Sequence, residues 1–592
     1  MEQAKRWMTG NYKWIWIAVI ALIPVFPLSG LLYGVDVSDV GLSINQYRFC
    51  FEDIGSVYLP ILLTEVIGAA FFVVFDWLHI PTYLGTEIIW VLAVYYMCYL
   101  SYHIYRKYRN DCLVLPALAL AVLFAKCNFH YFIYATGVAV MALTALYFLI
   151  LAVNDEKPWM LALSVFFMVM ACLCKISSLL QFGVFAVLFY DLYQKKNGAY
   201  FWRQILWCVI GFAAGLAFAA ALIAGACGFE KYGEMLVEMF LYAGNSKDGH
   251  TIGNMVTANV KGALRGLLLL AALAAVAFAA KKLPRAERAL RCAVPAAVVL
   301  LLAGKLFGLD RVMGFSILYG VVFDYLNALA VVVALIYVCV ILILRSKTYP
   351  QEFKNLALCA GVLTVLMPIG SNTGIPHICN EIFFALPFIA IFVGDALRKS
   401  EFFAGRKPAT GAAGNAAAGG TARLPGVGVQ LTLFAIVWCV GLTAWQSLYL
   451  TRARYAAGDE VKAFSIEELR FMSYEAAVVD ELEDITAHLR QYDDGERRLI
   501  VGGAAPILNY LSGMPPYNEG CGGWIETEFI TYEKIEQQLA EVTDYPIVVM
   551  CKTAVEQGHP KVALVSAFIE EHPYKLAYQT AEYSVYIPDE ES

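Results

Sequence analysis

The chain has 592 residues, 60% of them hydrophobic and 16% charged, with a formal net charge of −6 at pH 7. Soluble domains carry roughly 25% charged residues, so the composition excludes an ordinary soluble globule, and nucleic acid is not an expected partner. Fifteen cysteines fall mostly within apolar runs, with no CxxC pair of the metal-binding kind, which argues against a zinc site or a disulfide framework.

The first apolar run, about 14–33, is too long for a signal-peptide core and no A-x-A site follows it, so it reads as a retained transmembrane helix. Lys and Arg mark the cytoplasmic ends of membrane helices. Basic clusters stand at Lys5/Arg6/Lys13, Arg106/Lys107/Arg109, Lys195/Lys196/Arg203, Lys281 to Arg291, Arg345/Lys347/Lys354 and Arg398 to Arg423. The N-terminus is therefore expected inside and residue 34 outside, and only one crossing fits between there and Arg106. Two apolar stretches compete for it. Residues 58–78 contain Glu65 and Asp76 and are assigned to an interfacial or re-entrant helix, within a first outer loop spanning 34–83. The crossing is then 84–104.

Further spans follow near 112–128, 130–153, 158–174, 176–193, 203–226, 261–280, 291–308, 319–344, 356–370, 381–397 and 428–450, about thirteen in all. The expected fold is an α-helical polytopic membrane protein over 1–450. Outer loops are expected at 34–83, 227–260, 309–318 and 371–380. Residues 405–426 read as a flexible cytoplasmic linker loop, rich in Gly and Ala. Beyond 455 the composition turns soluble. A strand at 497–503, a helix at 504–513, helices near 533–541 and 560–572 and a strand at 545–551 indicate a small extracytoplasmic α/β domain over 455–592.

Chemistry gathers on the outer side. Asp36 and Asp39 follow directly on the first span, in YGVDVSDVGLSINQYRF (33–49). Asp39 would serve as a helix cap, a role that carboxylates fill well, or as a reactive carboxylate. Four cations, Lys126, Lys175, Lys305 and Arg311, break the charge bias by lying at outer helix ends, with His130 beside the first. Snorkelling to the headgroups accounts for any one of them. Together with the outer carboxylates they describe a cavity for an anion, and a lipid-linked phosphate is the natural occupant at that depth. Asp248 and His250, in GNSKDGH (244–250), are candidate metal or phosphate contacts. Ser371 and Asn372 lie in PIGSNTGIPHICNE (368–381), where small residues let backbone N–H groups approach an anion or acceptor. Ordinary solvated turns account for both stretches equally.

An outer Asp after the first span, a re-entrant helix behind it, thirteen spans and an outer C-terminal domain together resemble the GT-C superfamily of integral-membrane glycosyltransferases. That superfamily includes the protein O-mannosyltransferases and the aminoarabinose transferases of lipid A. Asp39-Val40-Gly41 is similar to a divergent form of the acidic motif in their first outer loop, departing from it at Val40, where many relatives carry a second acid. The resemblance implies an inverting transfer of a sugar from a polyprenyl-phosphate donor to a lipid or glycan acceptor, at the outer face of the cytoplasmic membrane. It implies Asp39 as base, with Asp36 as second choice or orienting group, and Lys126, Lys175, Lys305, Arg311 and His130 around the lipid phosphate. It leaves room for a divalent cation, Mg or Mn. The competing readings are a lipid-linked oligosaccharide transporter or flippase, a polysaccharide polymerase or ligase, and an inactive lipid-binding relative.

Overall fold

A computed structural model describes residues 17, 20–126, 131–245, 252–282, 325–369, 374–375, 378, 382–399, 441, 460–527 and 530–589. They form a helical membrane body with a small α/β domain at its C-terminal end. Residues 20–25 are helical and 26–32 make turns, after which the chain runs into helix α1 (Asp39–Phe49), helix α2 (Leu62–Trp77) and helix α3 (Thr82–Tyr108).

Among the described residues, seven helices are long and apolar enough to cross a membrane: Leu59–Trp77, Thr82–Tyr108, Tyr134–Asn154, Ile176–Lys195, Gly198–Ala226, Gly253–Val276 and Leu326–Arg345. Val114–Ala125, Met160–Cys174 and Ile382–Ala396 are shorter apolar helices. The expected span 291–308, the expected outer loop 309–318 and the expected linker 405–426 lie outside the described residues, as does the expected span 428–450 apart from residue 441.

Residues 227–260 and 176–193 differ from their expected form. Residues 227–260, expected as a loop, hold the helix Phe229–Asn245 and the start of Ile252–Lys282. Glu230, Lys231, Glu234 and Glu238 interrupt the apolar run there. Tyr232, Met235 and Leu236 nonetheless form one face against Val57 and Leu59, so the helix is amphipathic rather than spanning. The expected span 176–193 is split into a 3₁₀ helix (Ile176–Phe185) and an α-helix (Ala186–Lys195). Leu59–Trp77 is long enough to cross, yet both of its ends touch the C-terminal domain. Ser56 O accepts from the Gly522 N–H (2.9 Å) ahead of it, and His79 O accepts from Arg470 Nη2 (2.9 Å) after it.

Helices in lipid associate where small residues let backbones close up. Gly211 and Gly215, four apart on Gly198–Ala226, face Ala162 and Val169 of the preceding hairpin, and a Cβ on Gly215 would fall 2.9 Å from Val169 Cβ. Gly262 and Gly266 repeat the spacing on Ile252–Lys282, where Gly266 abuts the carbonyl of Ala330. The outer surface of Gly198–Ala226 is left apolar, with Trp202, Leu206, Val209 and Phe212 exposed, as a lipid-facing helix requires.

Helix α3 has 27 residues, about 40 Å at 1.5 Å per residue, and separates two polar faces. At its C-terminal end, Arg109 pairs with Asp395 (2.7 Å), Lys107 pairs with Asp155, and Tyr108 Oη donates to Asp155 Oδ1 (2.8 Å). At its N-terminal end stand Tyr83 and the 34–58 segment.

The C-terminal domain opens with an antiparallel pair, strand β1 (Val461–Ala463) with strand β2 (Ser473–Glu475). A four-stranded sheet follows in the order β3–β4–β6–β5, built from strand β3 (Leu499–Gly502), strand β4 (Ile547–Cys551), strand β5 (Tyr574–Gln579) and strand β6 (Tyr583–Pro588). Strands β3 and β4 are parallel and buried along their whole length, as continuous apolar runs demand. The helices Ala476–Leu489, Ile507–Ser512, Tyr532–Ala540 and Pro560–Glu571 accompany the sheet. Its core is continuous with Val35, Val40, Ile44 and Tyr83, so the domain and the first loop share one hydrophobic cluster.

Candidate active site

The site is built on the turn that starts α1. Gly34, at φ +97°, a backbone state that glycine reaches without strain, donates its N–H to Ser473 O (2.9 Å). That bond and a bridge between Tyr33 and Ser473 fasten the chain to β2. Asp36 then folds the backbone: its Oδ1 accepts the Ser38 N–H (2.8 Å) and the Ser38 hydroxyl (2.7 Å). This is an Asx turn, a local side-chain substitute for backbone pairing. From the other side the Asp36 N–H donates to Tyr83 Oη (2.6 Å), and the Tyr83 ring meets Tyr131 edge-on with centroids 5.4 Å apart.

Asp39 is the first residue of α1, and Ser38 occupies the cap position. The carboxylate of Asp39 therefore does not make the turn. Among the described residues it has no hydrogen-bond or ion-pair partner. Burial, and secondarily the charge of Asp36, push its carboxyl up to about 6. A half-buried, unengaged carboxyl with that affinity for a proton is suited to accept one near neutral pH.

The floor beneath α1 carries a second acid that local sequence reasoning used only as an argument against a span. Glu65 of α2 is fully buried, and neither carboxyl oxygen has a hydrogen-bond partner among the described residues. Tyr47, Cys50 and Cys174 surround it. An unpartnered buried acid costs several kcal/mol if charged, and such groups concentrate at functional sites. Its only sequence signal is a carboxylate near the start of an apolar run. Tyr83 and Ser38 had none.

Lys175 directly follows Cys174 at the end of the helix Met160–Cys174, and its ammonium lies 5.0 Å from the centre of the Tyr134 ring. Tyr134 begins the helix Tyr134–Asn154, three residues after Tyr131. Asp36 and Lys175 thus stand at the same end of the helical body, connected step by step through Tyr83, Tyr131 and Tyr134, and Asp39 lies three residues beyond Asp36. Lys126 ends the helix Val114–Lys126, but its side chain lies outside the described residues. His130, Asp248, His250, Lys305, Arg311, Ser371 and Asn372 lie outside them altogether. Among the described residues no three His, Cys, Asp or Glu side chains converge as a metal-binding group, and one oxygen of Asp36 is already engaged by Ser38.

The C-terminal domain seats directly on α1. The Ile507 N–H donates to Val37 O (3.3 Å), and Asn45 Nδ2 donates to Gly522 O (2.6 Å). Arg498 Nη1 reaches Asp53 Oδ2 at 2.6 Å and the Pro516 carbonyl at 3.0 Å. Asp39 is therefore presented at a junction between membrane body and soluble domain, where pockets for small molecules commonly form.

No protein-family model matches the sequence, and no curated protein matches it. Among solved structures the chain is similar to ArnT from Cupriavidus metallidurans. The crystal structure of that protein bound to undecaprenyl phosphate shares 11% identity at a TM-score of 0.49, over 97% of this chain and 98% of that one. Its apo structure shares 11% identity at a TM-score of 0.38, over 98% of each chain. Likeness at this level assigns no donor and no catalytic residue to the present chain.

Proposed function

We propose that the chain is an integral-membrane glycosyltransferase of the GT-C kind, moving a sugar from a polyprenyl-phosphate donor to an acceptor hydroxyl with inversion at the anomeric carbon. The observation that carries this reading is Asp39. It is a carboxyl with no hydrogen-bond or ion-pair partner among the described residues, raised to about 6, where the membrane body meets a soluble domain.

The chemistry needs one base. The acceptor oxygen attacks the anomeric carbon as the bond from that carbon to the phosphate oxygen breaks, and the acceptor proton passes to Asp39. Phosphate departs as a stable anion, so no paired acid is required, unlike glycoside hydrolysis, where two carboxyl groups act together. Asp36 shapes the turn that presents Asp39 and, by its charge, raises Asp39's proton affinity. A cation is needed where the phosphate charge develops. Lys175 is the described candidate, with Lys126, His130, Lys305 and Arg311 as further phosphate contacts. Asp248, His250, Ser371 and Asn372 are proposed acceptor or cation contacts. A polyprenyl phosphate donor agrees with the lipid named for the ArnT structure. The gathering of Lys107, Arg109, Lys157 and Lys195 at the end of the body opposite Tyr83 supports an orientation with that end cytoplasmic and Asp39 outside. In that orientation α2 lies along the outer surface, both ends meeting the C-terminal domain.

The test is turnover. Purified protein in nanodiscs is offered a panel of polyprenyl-phosphate sugars, and release of free polyprenyl phosphate is measured beside Asp39→Asn. Release from one donor that vanishes in the variant supports the assignment. Equal release from both proteins removes Asp39 from its role, and failure of every donor to bind returns the chain to the transporter reading.

A further inference from the structure

The connection between β1 and β2 has an unusual shape. Among the described residues four non-glycine residues adopt positive φ, and two of these, His79 (φ +56°) and Phe471 (φ +78°), stand on either side of one hydrogen bond, from Arg470 Nη2 to His79 O at 2.9 Å. A phenylalanine in the left-handed region is strained, and such strain persists where the surroundings impose a purpose on it. Here it does not serve burial: Phe471 is 55% exposed, while its neighbours Leu469 and Met472 are fully buried.

What surrounds Phe471 explains the shape. The Arg470 bond sets it beside the turn after α2, where Trp77 is 78% and Leu78 47% exposed. Two residues on, Ser473 donates its N–H to Leu32 O (3.0 Å), at the end of the first apolar run, where Val25, Leu28 and Leu32 are exposed. Three chain segments far apart in sequence thus bring exposed apolar side chains together where the apolar run 14–33 ends and the soluble domain begins. Phe71, Val73 and Val74 on α2 extend the same exposed apolar surface. Arg470 holds its guanidinium 4.8 Å from the Phe471 ring centre. An aromatic ring beside an arginine, level with a tryptophan, is the pairing that settles at the boundary between headgroups and acyl chains.

We propose that the loop 467–472 of the C-terminal domain is a membrane anchor, with Phe471 inserted beside Trp77 at the headgroup–acyl boundary of the phospholipid bilayer. The domain then meets lipid directly as well as through its protein contacts, and α1 with Asp39 is held at a set height above the surface. The proposal rests on the helical body lying in a bilayer and is independent of the transfer reaction.

Photocrosslinking tests it. The photoreactive residue p-benzoylphenylalanine is placed at position 471, at position 77 and, as an exposed site elsewhere on the domain, at position 576. The full chain is reconstituted in nanodiscs of radiolabelled phosphatidylglycerol and phosphatidylethanolamine and irradiated. The lipid adduct at 471 is expected to be comparable to that at 77 and about tenfold above that at 576. An adduct at 471 no greater than at 576, or an adduct there to protein in place of lipid, overturns the proposal. Phe471→Asn removes the ring and keeps a residue that tolerates the positive φ of this position. Its backbone amides over 470–472 are expected to exchange about tenfold faster in nanodiscs than those of the unaltered chain; equal exchange in the two would show that the ring does not hold the loop in the bilayer.

Discussion

Gly41 and Ile507 lie 466 residues apart and touch: a Cβ placed on Gly41 would fall 2.8 Å from Ile507 Cβ and 2.9 Å from its backbone nitrogen. The helix that begins with Asp39 is seated against the C-terminal domain through this contact. In an exposed helix, Gly→Ala gains about 1 kcal/mol. Here the steric cost is larger, about 1–3 kcal/mol for overpacking a closed contact. Gly41→Ala is therefore expected to lower the thermal midpoint in detergent and to reduce turnover. An unchanged or raised midpoint would show that α1 shifts freely on the domain.

Asp39→Asn is expected to separate activity from stability. Because the folded carboxyl titrates near 6 against 3.8 for the free side chain, the folded state binds the proton more tightly. The charge thus destabilises the fold progressively as pH rises from about 4 to 6, and the loss persists above. The rise corresponds to about 3 kcal/mol at most, and the acid's favourable place at a helix N-terminus returns up to about 1 kcal/mol. The variant is expected to melt higher than the unaltered chain at pH 8, to match it at pH 4, and to lose transfer at every pH. Melting curves at the two pH values, beside the turnover assay, check this.

The pH dependence of transfer should follow the same group with the opposite sign. A base must be deprotonated to act, so turnover is expected to rise through about pH 6 and level off above it. Asp36→Asn removes a charge that holds the proton on Asp39, while an amide oxygen still accepts from Ser38. The inflection should move to lower pH with part of the activity retained. An inflection that stays in place would mean that burial alone sets it.

Tyr83→Phe removes the oxygen that accepts the Asp36 N–H at 2.6 Å. A buried donor left without its partner costs about 1–3 kcal/mol. The expected result is a lower melting temperature and reduced turnover, with donor binding affected less than rate because the phosphate contacts are untouched. Binding isotherms and initial rates on the same preparation distinguish the two.

The junction of domain and body should tolerate loss of its ion pair better than loss of its packing. Arg498 and Asp53 pair at 2.6 Å but are partly solvated, so Arg498→Ala is expected to cost about 1 kcal/mol or less. Its effect on thermal midpoint should be smaller than that of Gly41→Ala. A larger effect would show that the contact of Arg498 with Pro516 O, inside the C-terminal domain, supports the fold of the domain itself.

Composition and hydropathy alone were enough to indicate a helical membrane body followed by a small α/β tail, since a bilayer demands long apolar helices and a soluble domain does not. Strands β3 and β4 were legible as short apolar runs between turn residues. Asp36 and Asp39 stood out as paired acids at the end of an apolar run, although their division of labour did not. Only the tertiary structure showed that Asp36 makes the turn through Ser38 while Asp39 has no side-chain partner among the described residues, and that Tyr83 and Ser473, from distant parts of the chain, hold that turn in place. It alone showed that both ends of α2 meet one domain, and that a helix replaces the loop expected at 229–245. The physical reason is the range of the forces involved. Hydropathy and turn chemistry act over a few residues and can be read along the chain. Desolvation of a carboxyl depends on what covers it, and for Asp39 the covering segments come together only when the chain has folded.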